Sequence, residues 1–231
     1  MRGAMRHRFD LHIHSFFSKD ACSAPEELVA AALGRGLSGI AITDHDSCEA
    51  HNYVKNMPRP EGFLIVPGVE VSTADGHLLC LGATLPYLRG RPAAEVVAAI
   101  HEAGGIAVPA HPFDRWRAGI RPAVLDTLDI ASLEVFNAAV TSRSYNEKAL
   151  AYAKKRGLSG LAGSDAHHAS AVGISSTAFE MDEVSLPALV AALRRGGTPE
   201  GNYLSLREGM KKHFANWFRK ANRRPPGAGP K

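Results

Sequence analysis

Short apolar runs alternate with helix-period patterns along almost the whole chain, and this alternation restricts the fold more than any other feature. Residues 9–13 form a first strand after a loose lead-in at residues 1–7. Leu28, Val29, Ala32 and Leu33 recur at helical spacing. Ser23 with Glu26 gives that helix a capping box, and Pro25 fits its first turn. Further strands are expected over 40–42, 63–66 with 69–71, 77–82, 106–108, 130–136, 158–161 and 177–181. Helices are expected over 47–56, after Pro92, near 123–128, over 144–156 and over 186–195. Strands that alternate with helices pair in parallel, joined by helical crossovers. About seven such units in roughly 200 residues approach the count of a barrel.

The chain has 231 residues, of which 45% are apolar, enough for one substantial core. The net charge of +4 belongs to the C-terminus, where Lys211, Lys212, Arg219, Lys220, Arg223, Arg224 and Lys231 occur with no acid between them. Cys22, Cys48 and Cys80 are odd in number and share no Cys-x-x-Cys spacing, which argues against a disulfide framework or zinc knuckle. A reduced, cytoplasmic setting is the expectation. No apolar segment suggests a signal peptide or a membrane span.

Two local patterns test this outline. Residues 35–45 and 156–167 echo one another: a helix end, a tight turn, a buried strand and an acid–histidine loop. They suggest one strand–loop geometry used twice. Gly34-x-Gly36-x-x-Gly39 matches a dinucleotide fingerprint in letters only. The fingerprint must follow a strand and open a helix; here it ends a helix and opens a strand.

The chemistry gathers where strands end. Asp10-Leu11-His12-Ile13-His14-Ser15 places two histidines two apart on a strand, hence on one face, with Leu11 and Ile13 opposite. Alone, the pair fits hydrogen-bonded histidines as well as half a metal site. The later strand ends supply Asp44, His45, Asp46, Glu70, His111, Asp165 and His167. In parallel α/β folds those ends share one rim. Nitrogen and oxygen donors without thiolate suit Zn, Mn or Fe. Their number exceeds what one ion can use. Glu70 is a candidate bridging carboxylate, and clustered ions imply hydrolysis by a bridging hydroxide, with phosphate esters the natural substrates.

Asp-Leu-His-x-His-Ser (10–15), Ile-Thr-Asp-His-Asp (42–46), Gly-Val-Glu (68–70), Ala-His-Pro (110–112) and Gly-Ser-Asp-Ala-His (163–167) resemble, in order, the motifs of the polymerase and histidinol phosphatase (PHP) family. The resemblance implies a single-domain, distorted (β/α)7 barrel over residues 1–207, a trinuclear metal centre and phosphoesterase chemistry. It implies one ion on His12, His14, Glu70 and Asp165. A second ion would use Glu70, His111 and His77, and a third Asp20, His45 and His167. Two or three divalent ions (Mn, Zn or Fe) are thus expected.

Asp10, Asp44 and Asp46 flank these positions and are expected to orient imidazoles. Asn137 is equally a substrate contact or a cap, while Glu134 is assigned a structural role. Arg115, Arg117, Arg121 and Arg143 lie in loops on the same side. At least one is expected on substrate phosphate, since guanidinium pairs bidentately with phosphate. His168 is a candidate proton donor. His7, His51, His101 and His213 are taken as surface residues. At residues 208–231, Phe214, Trp217 and Phe218 fit one face of a docked helix, with a flexible basic end from about Arg223 that is a candidate weak nucleic-acid contact.

The function expected is hydrolysis of a phosphomonoester or nucleotide phosphate. A nuclease that trims nucleic-acid ends is the alternative, supported by the basic C-terminus. A non-catalytic metal-binding regulatory domain should lack some of these residues, and the set looks complete. Substrate identity and oligomeric state are not encoded in any motif of the chain.

Overall fold

Nine strands and six helices follow in the computed structural model, which describes residues 4–205. The strands are β1 (Met5–Ile13), β2 (Gly39–Ile42), β3 (Leu64–Ser72), β4 (His77–Leu81), β5 (Ile106–Pro109), β6 (Ser132–Asn137), β7 (Ser159–Gly163), β8 (Ser175–Met181) and β9 (Thr198–Gly201). The helices are α1 (Pro25–Gly34), α2 (Glu49–Val54), α3 (Ala93–Glu102), α4 (Pro122–Leu125), α5 (Arg143–Arg156) and α6 (Leu186–Arg195). The C-terminal helix and basic end expected over 208–231, His213 included, lie outside the described residues.

Seven strands make one curled sheet in the order β5-β4-β3-β2-β1-β8-β9, and β6 and β7 form a parallel pair of their own. That pair packs between β5 and β1, so the α/β structure curves around a common interior. An isolated parallel bridge, Ile13 to Ala166, ties the end of β1 to the loop after β7.

The sheet is mixed rather than parallel throughout. β1, β2 and β3 pair in parallel, but β4 runs antiparallel to both β3 and β5. The turn at Asp75-Gly76 is too short for a crossover, which needs a dozen or more residues. Reversal brings the start of β4, not its end, to the rim where β3 finishes, and Ser72 pairs with His77. The lead-in is also structured. Met5 to Phe9 pairs antiparallel with β8, and the unanticipated β9 pairs with β8 in turn.

α1 begins one residue later than its sequence suggests. Glu27 Oε2 accepts from the amide of Ala24 at 2.8 Å, and Ser23 Oγ instead accepts from the amide of Ala169 at 2.9 Å. Pro25 occupies the first turn, where its missing N–H costs nothing. α3 and α6 bury Val96, Val97 and Ile100, and Leu189, Ala192 and Leu193. The three glycines at 34, 36 and 39 close α1 and open β2, with Gly36 left-handed at φ +67°.

A floor of Phe9, Leu11, Val66, Leu79, Val108 and Leu161 lies beneath the rim, and α6 packs against it. Fully burying each large apolar side chain is worth about 1.5–3 kcal/mol. Ile13 belongs to a different cluster, with Leu28 and Ile40 against α1. Leu11 and Ile13 therefore do not share a face as simple alternation requires. The pairing of β1 with β2 shifts register between Asp10 and Ile13, and such a bulge re-aims the side chains beyond it.

Candidate metal centre

Every chemical group singled out at the strand ends reaches one rim. His12 lies in β1 and His14 follows it, and Glu70 comes from β3. His77 opens β4, and Asn137 closes β6. His45, His111, Asp165 and His167 stand in the loops after β2, β5 and β7. Asp20 comes from the loop before α1. His111 (φ 30°) and Asp165 (φ 52°) are left-handed although neither is glycine. Strain of this kind costs about 1–3 kcal/mol per residue and gathers at functional sites.

Glu70 is the hub. It is 1% exposed, and five imidazoles converge on its two oxygens. Its Oε2 lies 3.2 Å from His12 Nε2, 3.2 Å from His14 Nε2 and 3.3 Å from His45 Nδ1. Its Oε1 lies 2.8 Å from His77 Nδ1 and 3.1 Å from His111 Nε2. Asp165 Oδ1 is 3.4 Å from both His14 Nε2 and His167 Nδ1. Asp20 Oδ2 is 3.1 Å from His167 Nε2 and 3.5 Å from His45 Nε2.

Glu134 has a role that its place in β6 did not reveal. Its Oε1 lies 3.0 Å from His12 Nδ1, and its Oε2 accepts from the His111 amide at 2.6 Å. Asn137 Nδ2 donates to Glu134 Oε2 and to Asp165 Oδ2, both at 3.0 Å. The only sequence signal was an acid in an otherwise apolar strand that ends on the rim. Asp10, Asp44 and Asp46 correct the opposite expectation, because none of them holds an imidazole. Asp10 accepts from the amides of Ser164 and Gly173, Asp44 from Ser15, and Asp46 from Ser72 and Arg89. They fasten loops to the rim. Burial pushes the Asp10 carboxyl up to about 6, against the hydrogen bonds from Ser164 and Gly173. Gly163 is needed for close approach: a Cβ there would stand 2.5 Å from His12 Cβ.

Arg117 alone of the candidate arginines is drawn into the cluster. Its guanidinium pairs with Asp165 Oδ2 at 2.5 Å and donates to the Ala139 carbonyl at 3.0 Å. Arg143 lies 4.6 Å over the Tyr203 ring, and Arg115 and Arg121 are exposed. His168 is buried, with its Nδ1 2.8 Å from Ser170 Oγ. His51 is half-buried rather than at the surface and bonds the Gly68 backbone. A cleft of about 600 Å³ lined by Arg6, Ser159 and Arg195 involves other residues and none of this cluster.

The donor set fits metal ions. Four triads each bring one donor atom per residue to within 4.8 Å of the others: His14, His45 and His167; His12, His14 and Glu70; His12, His111 and Asp165; His45, Glu70 and His77. Asp165 Oδ1 and the Nδ1 atoms of His45 and His77 are buried and make no hydrogen bond, though each points among opposite charges. Buried polar atoms normally find partners, and a cation would be one.

Electrostatics point the same way. Burial pulls the His14 imidazole down, but Asp165 and Glu70 outweigh it and carry it up to about 9. Burial also opposes ionisation of Glu70 and Asp165. The surrounding His77, His45 and His12 in one case, and Arg117 and His12 in the other, still hold both carboxyls well below the usual range. A protonated imidazole cannot ligate, so metal must displace protons. The sign is fixed by the raised value: the proton on His14 is retained up to about 9. Mn affinity of the metal-free protein is therefore expected to climb between pH 6.5 and 9, with proton release on titration. Calorimetry in buffers of different ionisation enthalpy checks this, and a pH-independent affinity would contradict it.

The family model for the PHP domain matches residues 10–167. The chain belongs to the PHP family. A second model, described as PHP-associated, matches residues 143–198 of this PHP protein. It is a hydrolase of phosphoester bonds that works with metal ions. It is 29% identical over 139 residues to an uncharacterized protein of Methanocaldococcus jannaschii, covering 56% of this chain and 81% of that one. It is 35% identical over 69 residues to a 5'-3' exoribonuclease of Haemophilus influenzae, covering 30% and 25%. The fold is similar to that of PsfC from Pseudomonas syringae, with TM-score 0.70, 18% identity, and coverage of 94% of this chain and 98% of that one. Among the described residues no helix is long and apolar enough to cross a membrane.

Proposed function

We propose that this PHP protein hydrolyses a phosphomonoester or nucleotide phosphate at a centre of two or three divalent ions, Mn, Zn or Fe. The five imidazoles gathered on Glu70 carry the reading. In it the distorted (β/α)7 barrel of the family is a single domain over residues 1–207. Its ligands are His12, His14, Asp20, His45, Glu70, His77, His111, Asp165 and His167. When bound, such ions supply an activated water at neutral pH and neutralise phosphate charge.

The protein's own groups do the rest. Glu70 bridges between neighbouring donor sets. Glu134 turns His12 so that Nε2 faces inward, and Asn137 orients Asp165. Arg117 offers guanidinium beside Asp165, where a phosphate oxygen would need a donor. The two serines that flank His14 are already engaged: Ser15 Oγ donates to Asp44, and Ser18 Oγ lies 3.3 Å from His14 Nδ1 and accepts from the His45 amide.

A nuclease is the second reading, favoured by the local identity to an exoribonuclease. Metal analysis followed by a panel of p-nitrophenyl phosphate, sugar phosphates, nucleotides and a 5'-phosphorylated oligonucleotide tests both. Turnover with Mn that stops on chelation is expected. A metal-loaded protein that cleaves nothing in the panel would overturn the proposal, and cleavage confined to the oligonucleotide would select the nuclease.

A further inference from the structure

Trp116 is 84% exposed, more than any other large apolar side chain among the described residues. Leaving an indole in water forgoes the gain that drives apolar groups inward. A mobile loop tip would make this unremarkable, but the loop is built rigidly. Asp114 is fully buried beneath it. Its carboxylate accepts from the Trp116 amide at 3.2 Å and from the Thr141 amide and hydroxyl at 2.8 and 2.9 Å. Its carbonyl accepts from the amides of Arg117 and Gly119. Phe113 (φ 70°) and Ala118 (φ 55°) are left-handed without being glycine, and a Cβ on Gly119 would strike the His111 carbonyl at 2.6 Å. The Ala118 carbonyl accepts from the His77 amide at 2.8 Å, so the loop is fastened to the metal-centre rim itself.

The position of the indole is as informative as its exposure. Trp116 and Arg117 are consecutive in the 3-10 turn Arg115–Arg117. Side chains one apart in such a turn diverge by about 120°. While Arg117 reaches in to Asp165, the indole is thus directed away from it, on the flank of the site. Arg115, in the same turn, and Arg121, at the end of the same loop, are also exposed. A ligand that matches this surface is anionic at the metal centre and planar and aromatic one group away. No other ring stacks on Trp116 among the described residues. By contrast, Phe16, Phe17 and Tyr53 are already packed on one another, with centroids 4.6–5.7 Å apart.

We propose that Trp116 is a stacking platform for the base of a nucleotide or of a nucleic-acid end whose phosphate lies at Arg117 and the metal centre. The proposal rests on the phosphoester reading above and narrows its substrate to base-bearing phosphates. Stacking is tolerant of base identity, because every base has a π face. Preference for a planar base without preference for its edge pattern is therefore expected.

The test compares wild type, Trp116→Phe and Trp116→Ala as Mn-loaded full chains. Adenosine 5'-monophosphate and ribose 5-phosphate share a phosphate and a sugar but differ in the base. Trp116→Ala is expected to raise KM for the nucleotide by roughly 5- to 100-fold, the range of a lost base–aromatic stack. Its kcat and its KM for ribose 5-phosphate stay near wild type, and Trp116→Phe keeps most of the nucleotide affinity. Saturation-transfer NMR with adenosine, which has no phosphoester, reads binding apart from hydrolysis and should lose its base signals in Trp116→Ala. Unchanged nucleotide KM and adenosine signals in Trp116→Ala would overturn the platform while leaving the hydrolase intact. Loss of the adenosine signals in Trp116→Ala with no hydrolysis by wild type would keep the platform and overturn the hydrolase.

Discussion

Glu70→Gln is expected to yield a folded protein that has lost most of its bound metal and about three orders of magnitude in kcat/KM. Metal-ion charge stabilisation is worth several kcal/mol, and each 1.36 kcal/mol is tenfold in rate, so a loss of ~10³-fold or more follows from a centre that cannot assemble. Glutamine has nearly the same volume as glutamate, so the packing of β3 has little reason to fail. What changes is charge. The carboxylate lies within 3.3 Å of five imidazole nitrogens, and a neutral amide replaces one of its acceptors with a donor aimed at them. The readouts are metal content after gel filtration and kcat/KM on whichever substrate the panel identifies. A Glu70→Gln protein with full metal content and wild-type turnover would remove Glu70 from the centre.

The rim was legible because its residues break an otherwise apolar context. His12 and His14 interrupt a buried strand, and Asp44, His111 and Asp165 follow buried strands directly. Glu134 was not legible in the same way. An acid inside Ser132–Asn137 is as compatible with an ion pair on the outer face as with an inward one, and only the closure of β6 against its neighbours puts it beside His12. The aspartates failed for a related reason. Their spacing next to histidines suggested ring partners, but each of them accepts from a backbone amide instead. Arg117 stood out from Arg115, Arg121 and Arg143 only through the 3-10 turn that aims it.

Parallel pairing was overestimated at β4, where a glycine turn rather than a helix joins it to β3. That one reversal also explains His77. A histidine at the start of a parallel strand would lie at the far end of the structure from Glu70. At the start of an antiparallel strand it lies beside Ser72 and reaches Glu70 at 2.8 Å. The bulge in β1 is the other departure, since period-2 alternation does not encode where a strand gains a residue.

Glu134→Ala is expected to lower metal affinity by about 10- to 100-fold while sparing the ligands themselves, the usual cost of removing a group that orients them. Its two oxygens do different work. Oε1 faces His12 Nδ1, which fixes the proton there and frees Nε2 to face Glu70. Oε2 accepts from the His111 amide and from Asn137, and Asn137 in turn donates to Asp165. One carboxylate thus sets the aim of groups from β1, from the loop after β5 and from the loop after β7. Alanine leaves two buried donors, His12 Nδ1 and the His111 amide, without an acceptor and takes one of two acceptors from Asn137 Nδ2, at about 1–3 kcal/mol for each group left unsatisfied, so the metal-free variant should also melt earlier. Glutamine keeps one acceptor and loses the other, and its affinity should fall between alanine and wild type. A purely structural role predicts lower melting temperature with unchanged metal affinity in both variants. Chelator competition on the folded proteins, read beside their melting curves, separates the two outcomes, and equal affinity in Glu134→Ala and wild type would show that His12 needs no such support.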